Sequence, residues 1–283
     1  MEVATEFYVA PVDGARCLRV TGRAQRCALP VPATRPRDGG PTGCFLCHPE
    51  RDELDLGAWP PGEPFAHVLG NAFPVAQRSL LVAPPGAPMH DVTPAGLDPG
   101  PILRLVTDPG FVSHFQLEGL QRSLFWNVGV LAGQSRRHPH AQVIGLDAEV
   151  DSTRSVEAVQ ADLESAVAAG RSLTLETEVG LVIPARPSLT AEAWLPVPLR
   201  DDANEVARFD RAVARVVQAL EAGLSCNYNL VMLPSANILR ILPRGISERA
   251  GLEFAFPGTI DNVVAASVPE TREMWRAALA ATR

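Results

Sequence analysis

The stretch Gly133-Gln134-Ser135-Arg136-Arg137-His138-Pro139-His140-Ala141-Gln142-Val143-Ile144-Gly145 decides how this chain is read. It places two of the six histidines one residue apart, directly behind two arginines. Extended chain alternates its side chains between two faces, so His138, His140 and Gln142 would share one face and Ala141 and Val143 the other. A core strand does not carry three polar groups in succession on one side. Two readings follow: a partly exposed edge strand with incidental histidines, or a site at which an imidazole holds or attacks something.

Outward from this stretch the pattern is regular. Leu124 to Val130 reads as a strand leading into the loop, and Ala141 to Leu146 as a strand leaving it. Upstream, Phe65 to Val75 and Ser79 to Ala83 read as two strands joined by a turn at Ala76-Gln77-Arg78. Pro101 to Arg122 reads as helix broken at Asp108-Pro109-Gly110, because proline removes a backbone donor and clashes with the preceding turn. Downstream, Val156 to Ala169 reads as a helix stopped by Gly170. Leu173 to Ala185 and Glu192 to Val197 read as strands, and Asp202 to Ala222 carries apolar residues at helical spacing from Val206 to Leu220. Tyr228 to Leu233 and Ile238 to Leu242 complete a second copy of the order strand, strand, helix, strand, loop, strand. A helix over Glu270 to Ala281 closes the chain.

In this duplication Phe125-Trp126-Asn127-Val128-Gly129-Val130 corresponds to Asn227-Tyr228-Asn229-Leu230-Val231-Met232. The first copy ends in histidines; the second ends in Ile238-Leu239-Arg240-Ile241-Leu242, with none. Only one copy would then carry the chemistry.

Composition bounds the rest. The chain has 283 residues, 46% apolar and 20% charged, the profile of a globular protein with a substantial core. Its longest apolar runs, such as Ser79-Leu80-Leu81-Val82-Ala83, are far too short to span a bilayer. No basic N-terminal region precedes an apolar stretch, so a cytoplasmic protein with no membrane partner is expected. A net charge of -7 argues against nucleic acid as a partner. All 25 basic residues are arginine, so a phosphate here meets guanidinium forks or backbone amides.

Five cysteines, an odd number, fit reduced thiols better than a disulfide framework. Cys44-Phe45-Leu46-Cys47 has the spacing that lets two thiolates reach one tetrahedral ion, though a lone pair of this kind is equally two free thiols. The surrounding residues 29 to 63 are crowded with proline, glycine and charge, an irregular segment that a metal would make rigid. His90 and His138 lie in or beside loops, where a ligand can be presented. His67 sits inside a predicted strand, and His48 is too close to Cys47 to ligate comfortably with it.

His138-Pro139-His140-Ala141-Gln142-Val143-Ile144 resembles the motif of the histidine-triad superfamily, and more narrowly that of the galactose-1-phosphate uridylyltransferases. The resemblance takes in Cys44 and Cys47 as a zinc pair and Leu81-Val82-Ala83-Pro84 leading to His90. It also takes in Phe125-Trp126-Asn127-Val128-Gly129 and Gly133-Gln134-Ser135, and it runs from about residue 40 to 146, faintly thereafter. It implies an α+β fold of two tandem histidine-triad-like halves, each a mostly antiparallel sheet with packed helices, here over residues 1–150 and 151–283. Carried over, Cys44, Cys47, His90 and His138 would hold one zinc ion. His140 would be the nucleophile for a nucleotidyl group, assisted by Gln142 and Ser135. A neighbouring carbonyl, that of His138, would fix its tautomer. Arg23, Arg26, Asn71, Asn127, Gly133 and Gln134 would contact the nucleotide and its phosphates.

The implied function is transfer of a nucleoside monophosphate to a sugar phosphate or phosphate acceptor, in an enzyme that often forms homodimers. The alternatives are a nucleotide or dinucleoside polyphosphate phosphorylase or hydrolase, and a zinc-stabilised nucleotide-binding protein without turnover. The chain departs from the family at Ser135-Arg136-Arg137-His138, where relatives have Ser-Asn-Pro-His. Two readings of Arg136 and Arg137 follow: they bind a phosphate or carboxylate that the family does not handle, or they are solvated loop arginines. It departs again where the family's sugar-contacting tail is replaced by Leu252-Glu253-Phe254-Ala255-Phe256-Pro257-Gly258-Thr259, which puts a galactose substrate in doubt.

Overall fold

The computed structural model describes residues 5–9, 16–20, 43–49, 52–72, 74, 76–85, 90, 92–134, 136–146, 153–175, 180–184, 191–198, 202–244 and 267–282. β1 (Thr5–Val9) and β2 (Arg16–Val20) pair antiparallel as a two-stranded sheet. Then follow β3 (Asp55–Trp59), β4 (Ala66–Gly70) and β5 (Arg78–Ala83), helices α1 (Pro99–Arg104) and α2 (Pro109–His114), β6 (Gln121–Val128) and β7 (Ala141–Leu146). After α3 (Thr153–Ala168) come β8 (Ser172–Thr174), β9 (Gly180–Val182) and β10 (Ala193–Pro196), α4 (Ala203–Ala219), β11 (Tyr228–Leu233), β12 (Ile238–Pro243) and α5 (Val268–Ala280).

Ten of these strands form one antiparallel sheet in the order β3-β4-β5-β7-β6-β11-β12-β10-β9-β8. The order is symmetric about its middle. From either edge come three strands consecutive in the chain, then a pair in reversed order, and β6 and β11 meet at the centre. Each copy of the repeat thus has three leading strands where the sequence pattern indicates two. β3 escapes the pattern because it is an edge strand, with Asp55 and Gly57 at a register shift, and such a strand has the composition of a loop. The predicted strand Leu173 to Ala185 is instead the hairpin β8–β9, with Ser172 opposite Val182.

The predicted breaks occur where expected. Asp108 caps α2, accepting from the amides of Gly110 at 2.8 Å and Phe111 at 3.2 Å, with Pro109 at the first helical position. Asp202 caps α4 in the same way.

One face of the sheet is covered by α1, α2, α4 and α5. Val68, Val82, Leu124, Trp126, Val143, Leu195, Leu230 and Ile241 meet Leu103, Phe111, Phe209, Val213, Val216 and Trp275 in a continuous core. Each such side chain contributes about 1.5–3 kcal/mol by leaving water, and this burial fixes which residues of each strand point away from the helices. On the opposite face, Cys44, Leu46 and Cys47 pack on Leu69 and Ala83 toward one edge. Toward the other edge, α3 lays Ala166, Val159 and Leu163 over Val182, Trp194 and Ile238. Between them lie the middle strands β7, β6 and β11. Strand alternation brings Gln142, Asn127 and Asn229 to this same face, in the trough between the two coverings.

Candidate active site and metal centre

Residues 43–49 form a tight turn in which the amides of Cys47 and His48 both donate to the Cys44 carbonyl, at 3.1 and 3.2 Å. The turn aims both thiols inward. His90 comes from the segment after β5, and His138 from the lead-in to β7. The ligand atoms of Cys44, Cys47, His90 and His138 all lie within 4.8 Å of one another. Cys47 Sγ is 3.3 Å from His138 Nδ1, and the rings of His90 and His138 meet edge to face at 6.0 Å. A tetrahedron built on bonds of about 2.3 Å to sulfur and 2.0–2.1 Å to nitrogen has edges of roughly 3.4–3.8 Å, so this donor set fits one metal ion. Two thiols and two imidazoles, three of the four buried, match a closed site with no position left for substrate.

β7 begins at Ala141, so His138-Pro139-His140 form an irregular lead-in rather than strand. The lead-in gives the two histidines different surroundings. His138 turns its ring to the thiols, while its carbonyl lies 2.9 Å from Nδ1 of His140. A carbonyl only accepts, so Nδ1 of His140 carries the hydrogen and Nε2 holds the lone pair. His140 is 6% exposed. Burial pushes its imidazole below the usual histidine range; the His138 carbonyl opposes this, and the charge of Arg136 adds to the lowering. The ring is therefore held neutral and in one tautomer, the form in which Nε2 is nucleophilic.

The loop after β6 is built beside it. Gly129 and Gly133 both have left-handed backbone, at φ 82° and 81°. A Cβ at Gly129 would come within 2.2 Å of Asn227 Oδ1, so only glycine lets the loop leave the strand there. Gln134 locks it, accepting from the Gly129 amide and donating to the Arg136 carbonyl, each at 2.7 Å. Asn127 Nδ2 lies 3.9 Å from where a Cβ of Gly133 would stand, so the loop closes over the face of the sheet that strand alternation gives to Asn127 and Gln142.

Arg136 does not stand out alone in this loop. Its guanidinium lies 5.2 Å from the centre of the Phe45 ring, inside the Cys44–Cys47 turn, and so ties the loop to the Cys/His cluster. Arg137 is half-buried beside it. Asn71 closes the β4–β5 turn, its amide donating to the Ser79 carbonyl at 2.9 Å. Ser135, Arg23 and Arg26 lie outside the described residues, as does the Leu252–Thr259 stretch. Two of the other three histidines do other work: His67 pairs with Asp55 at 2.6 Å, and His114 packs on Trp59 with ring centres 5.1 Å apart. Two surface cavities, of about 270 and 550 Å³, are lined by β10 and α4 residues such as Pro196 and Phe209 and by α5 residues such as Glu270 and Met274. The first lies four strands from β7.

No protein-family model and no curated protein sequence matches the chain. Solved structures do match it. An ADP-glucose phosphorylase from Arabidopsis thaliana with bound ADP-glucose superposes with a TM-score of 0.62 at 18% identity, over 96% of this chain and 98% of that one. A uridylyltransferase superposes with a TM-score of 0.56 at 20% identity, over 99% of each chain. A yeast Ap4A phosphorylase in complex with Ap4A gives 0.52 at 15% identity, over 86% of this chain and 74% of that one.

The chain shares the fold of these proteins. Within that fold the two ends of the sheet are held together by different chemistry. Trp126 pairs with Ala141 and Tyr228 with Pro243, so the repeat that matches Trp126 to Tyr228 also matches His140 to Leu242 and His138 to Arg240. Where His138 joins the cluster of Cys44, Cys47 and His90, Arg240 reaches Glu192, with Nε and a terminal nitrogen at 2.9 and 2.6 Å from Oε1. Trp194 Nε1 donates to the same oxygen at 2.8 Å, and Glu192 is 1% exposed. A buried, multiply bonded ion pair occupies the place that His138 takes in the first copy. Sequence reading passed over Glu192 because a single glutamate in a predicted strand carries no local signal of its partner.

Proposed function

We propose that the chain is a nucleotidyltransferase of the uridylyltransferase type, working through a covalent nucleotidyl-histidine at His140. One observation carries the reading: His140 Nδ1 is bonded to the carbonyl of a residue whose own ring belongs to a metal-binding cluster. Cys44, Cys47, His90 and His138 would hold a zinc ion, which supplies a structural cross-link that fixes the lead-in to β7. The lone pair of His140 Nε2 attacks the α-phosphorus of the donor nucleotide. A P–N bond forms, the P–O bond to the leaving phosphate breaks, and the leaving oxygen takes the electron pair. An oxygen of a sugar phosphate or of inorganic phosphate then attacks the same phosphorus, and the electrons of the P–N bond return to Nε2.

Gln142, Asn127 and Ser135 would donate hydrogen bonds to the phosphate oxygens as charge builds there. Arg23, Arg26, Asn71, Gly133, Gln134 and Arg137 would line the nucleotide. Residues 1–150 and 151–283 are read as tandem copies, of which the first holds the nucleophile. Reduced thiols at Cys44 and Cys47 suit a cytoplasmic setting. The fold shared with a yeast Ap4A phosphorylase supports a second reading, in which the same histidine splits a dinucleoside polyphosphate with phosphate or water as acceptor.

The test is incubation with ADP-glucose, UDP-glucose and Ap4A, each labelled in the nucleotide. An acid-labile protein adduct that His140→Gly abolishes is expected. Absence of any adduct would leave a zinc-stabilised binding protein as the better account. An adduct discharged by water but by no phosphate-bearing acceptor would favour the hydrolase.

A further inference from the structure

The strand at the centre of the sheet connects the site to residues that belong to the other copy of the repeat. Asn229 on β11 stands directly opposite Asn127 on β6 and is 7% exposed. Its Nδ2 donates to Asn127 Oδ1 and to the Ala132 carbonyl, both at 2.8 Å. Arg244, just past β12, donates Nε to Asn229 Oδ1 at 2.5 Å. Ser225 Oγ fastens the segment, lying 2.6 Å from the Arg244 carbonyl and 2.8 Å from the Asn227 carbonyl, between which its single hydrogen is shared, and accepting from the Asn227 backbone amide at 3.0 Å.

The order of donors and acceptors in this chain of side chains has only one solution. An asparagine amide can turn over and exchange its oxygen and nitrogen, so its orientation is settled by its partners. A guanidinium has donors and no acceptor. Arg244 therefore forces the oxygen of Asn229 toward itself and the nitrogen toward Asn127 and Ala132. That nitrogen in turn forces the oxygen of Asn127 toward β11. Asn127 is left with its Nδ2 on the side of the loop, 3.9 Å from where a Cβ of Gly133 would stand. The relay ends in an N–H donor pointed at the loop that precedes His138 and His140.

We infer that Asn229 and Arg244 are positioning residues for the reaction, setting Asn127 to present a hydrogen-bond donor rather than an acceptor to a phosphate oxygen of the bound nucleotide. This rests on the nucleotidyl-transfer reading. It gives the copy that lacks histidines a part in the site: its arginine decides the polarity of the amide on the opposing strand. An Asn127 turned over would set a carbonyl oxygen against an anionic phosphate.

The experiment is a double-mutant cycle on the rate of His140 labelling, using whichever of ADP-glucose, UDP-glucose or Ap4A labels the wild-type chain. Asn229→Leu keeps the size and removes the donor. We expect it to slow labelling roughly tenfold or more, as expected for loss of a hydrogen bond to a charged group, with metal content unchanged. Asn127→Ala should cost a similar factor, and adding Asn229→Leu to Asn127→Ala should cost less than about twofold more. A purely structural Asn229 predicts that the two losses multiply, and that result overturns the inference, as does wild-type labelling by Asn229→Leu. Arg244→Gln tests the same relay without a buried deletion. It should slow labelling in the wild-type background and leave Asn127→Ala unaffected; equal effects in both overturn the inference. A wild-type chain that labels with none of the three donors defeats the nucleotidyl-transfer reading itself, and the relay with it.

Discussion

The carbonyl of His138 accepts the Nδ1 hydrogen of His140 at 2.9 Å, while the ring of the same His138 lies 3.3 Å from Cys47 Sγ. One residue thus joins the candidate metal-binding cluster to the candidate nucleophile, through its side chain on one side and its backbone on the other. Loss of the metal should be felt at His140 although no ligand touches the substrate.

Elemental analysis is therefore expected to give close to one zinc per chain. His90→Ala should release it and lower stability by about 3 kcal/mol, a fall in Tm of roughly 6–12 °C for a chain of this size. Labelling of His140 should fall with metal content in that variant. A His90→Ala chain that retains its metal would remove His90 from the ligand set.

His140→Gly should keep its metal but lose about 1–3 kcal/mol, a fall in Tm of roughly 2–12 °C, because it empties a buried ring site and leaves the His138 carbonyl without its donor. It should form no nucleotidyl adduct. Adduct formation in this variant would mean that another side chain is the nucleophile.

Arg136 stacked on Phe45 has a structural share that can be separated from its charge. Phe45→Leu removes the ring face, worth about 0.5–1 kcal/mol for a partly exposed pair, and should lower Tm by about 1–4 °C with metal retained. Arg136→Ala should add to this a loss of nucleotide affinity measured by calorimetry with ADP-glucose or UDP-glucose. Equal affinities in the two variants would confine Arg136 to packing.

Arg240→Ala takes the guanidinium away from the buried carboxylate of Glu192, and should destabilise the chain by about 3–5 kcal/mol. Arg240→Met combined with Glu192→Met removes both charges and should recover most of that loss in chemical denaturation. A double variant no more stable than Arg240→Ala would show that the pair contributes more than mutual compensation.

Much of the local structure is legible in the chain because it depends on neighbours in sequence. The helical spacing of Phe209, Val213, Val216 and Val217 and the alternation in Ala141–Leu146 both appear as read. So does the break at Asp108-Pro109. β3 was not legible, since an edge strand with Gly57 at a bulge has no apolar alternation to show. Of the site, the spacing of Cys44 and Cys47 and of His138 and His140 is local and visible. The match of Asn127 to Asn229 was also visible as a repeat, but not that the two residues would bond.

What the sequence determined alone is the periodicity of its elements, the caps and breaks that bound them, and the presence of chemically capable groups in a few short motifs. These follow from steric and hydrogen-bonding rules acting over a handful of residues. The tertiary structure decided everything that needs two distant segments at one point: the joining of β6 to β11 into a single sheet, and the convergence of residues 44, 47, 90 and 138. It also decided the stacking of Arg136 on Phe45 and the pairing of Arg240 with Glu192. Such contacts are set by the burial of one sheet face against the helices, which fixes the register of every strand and so the partner of every side chain on the other face.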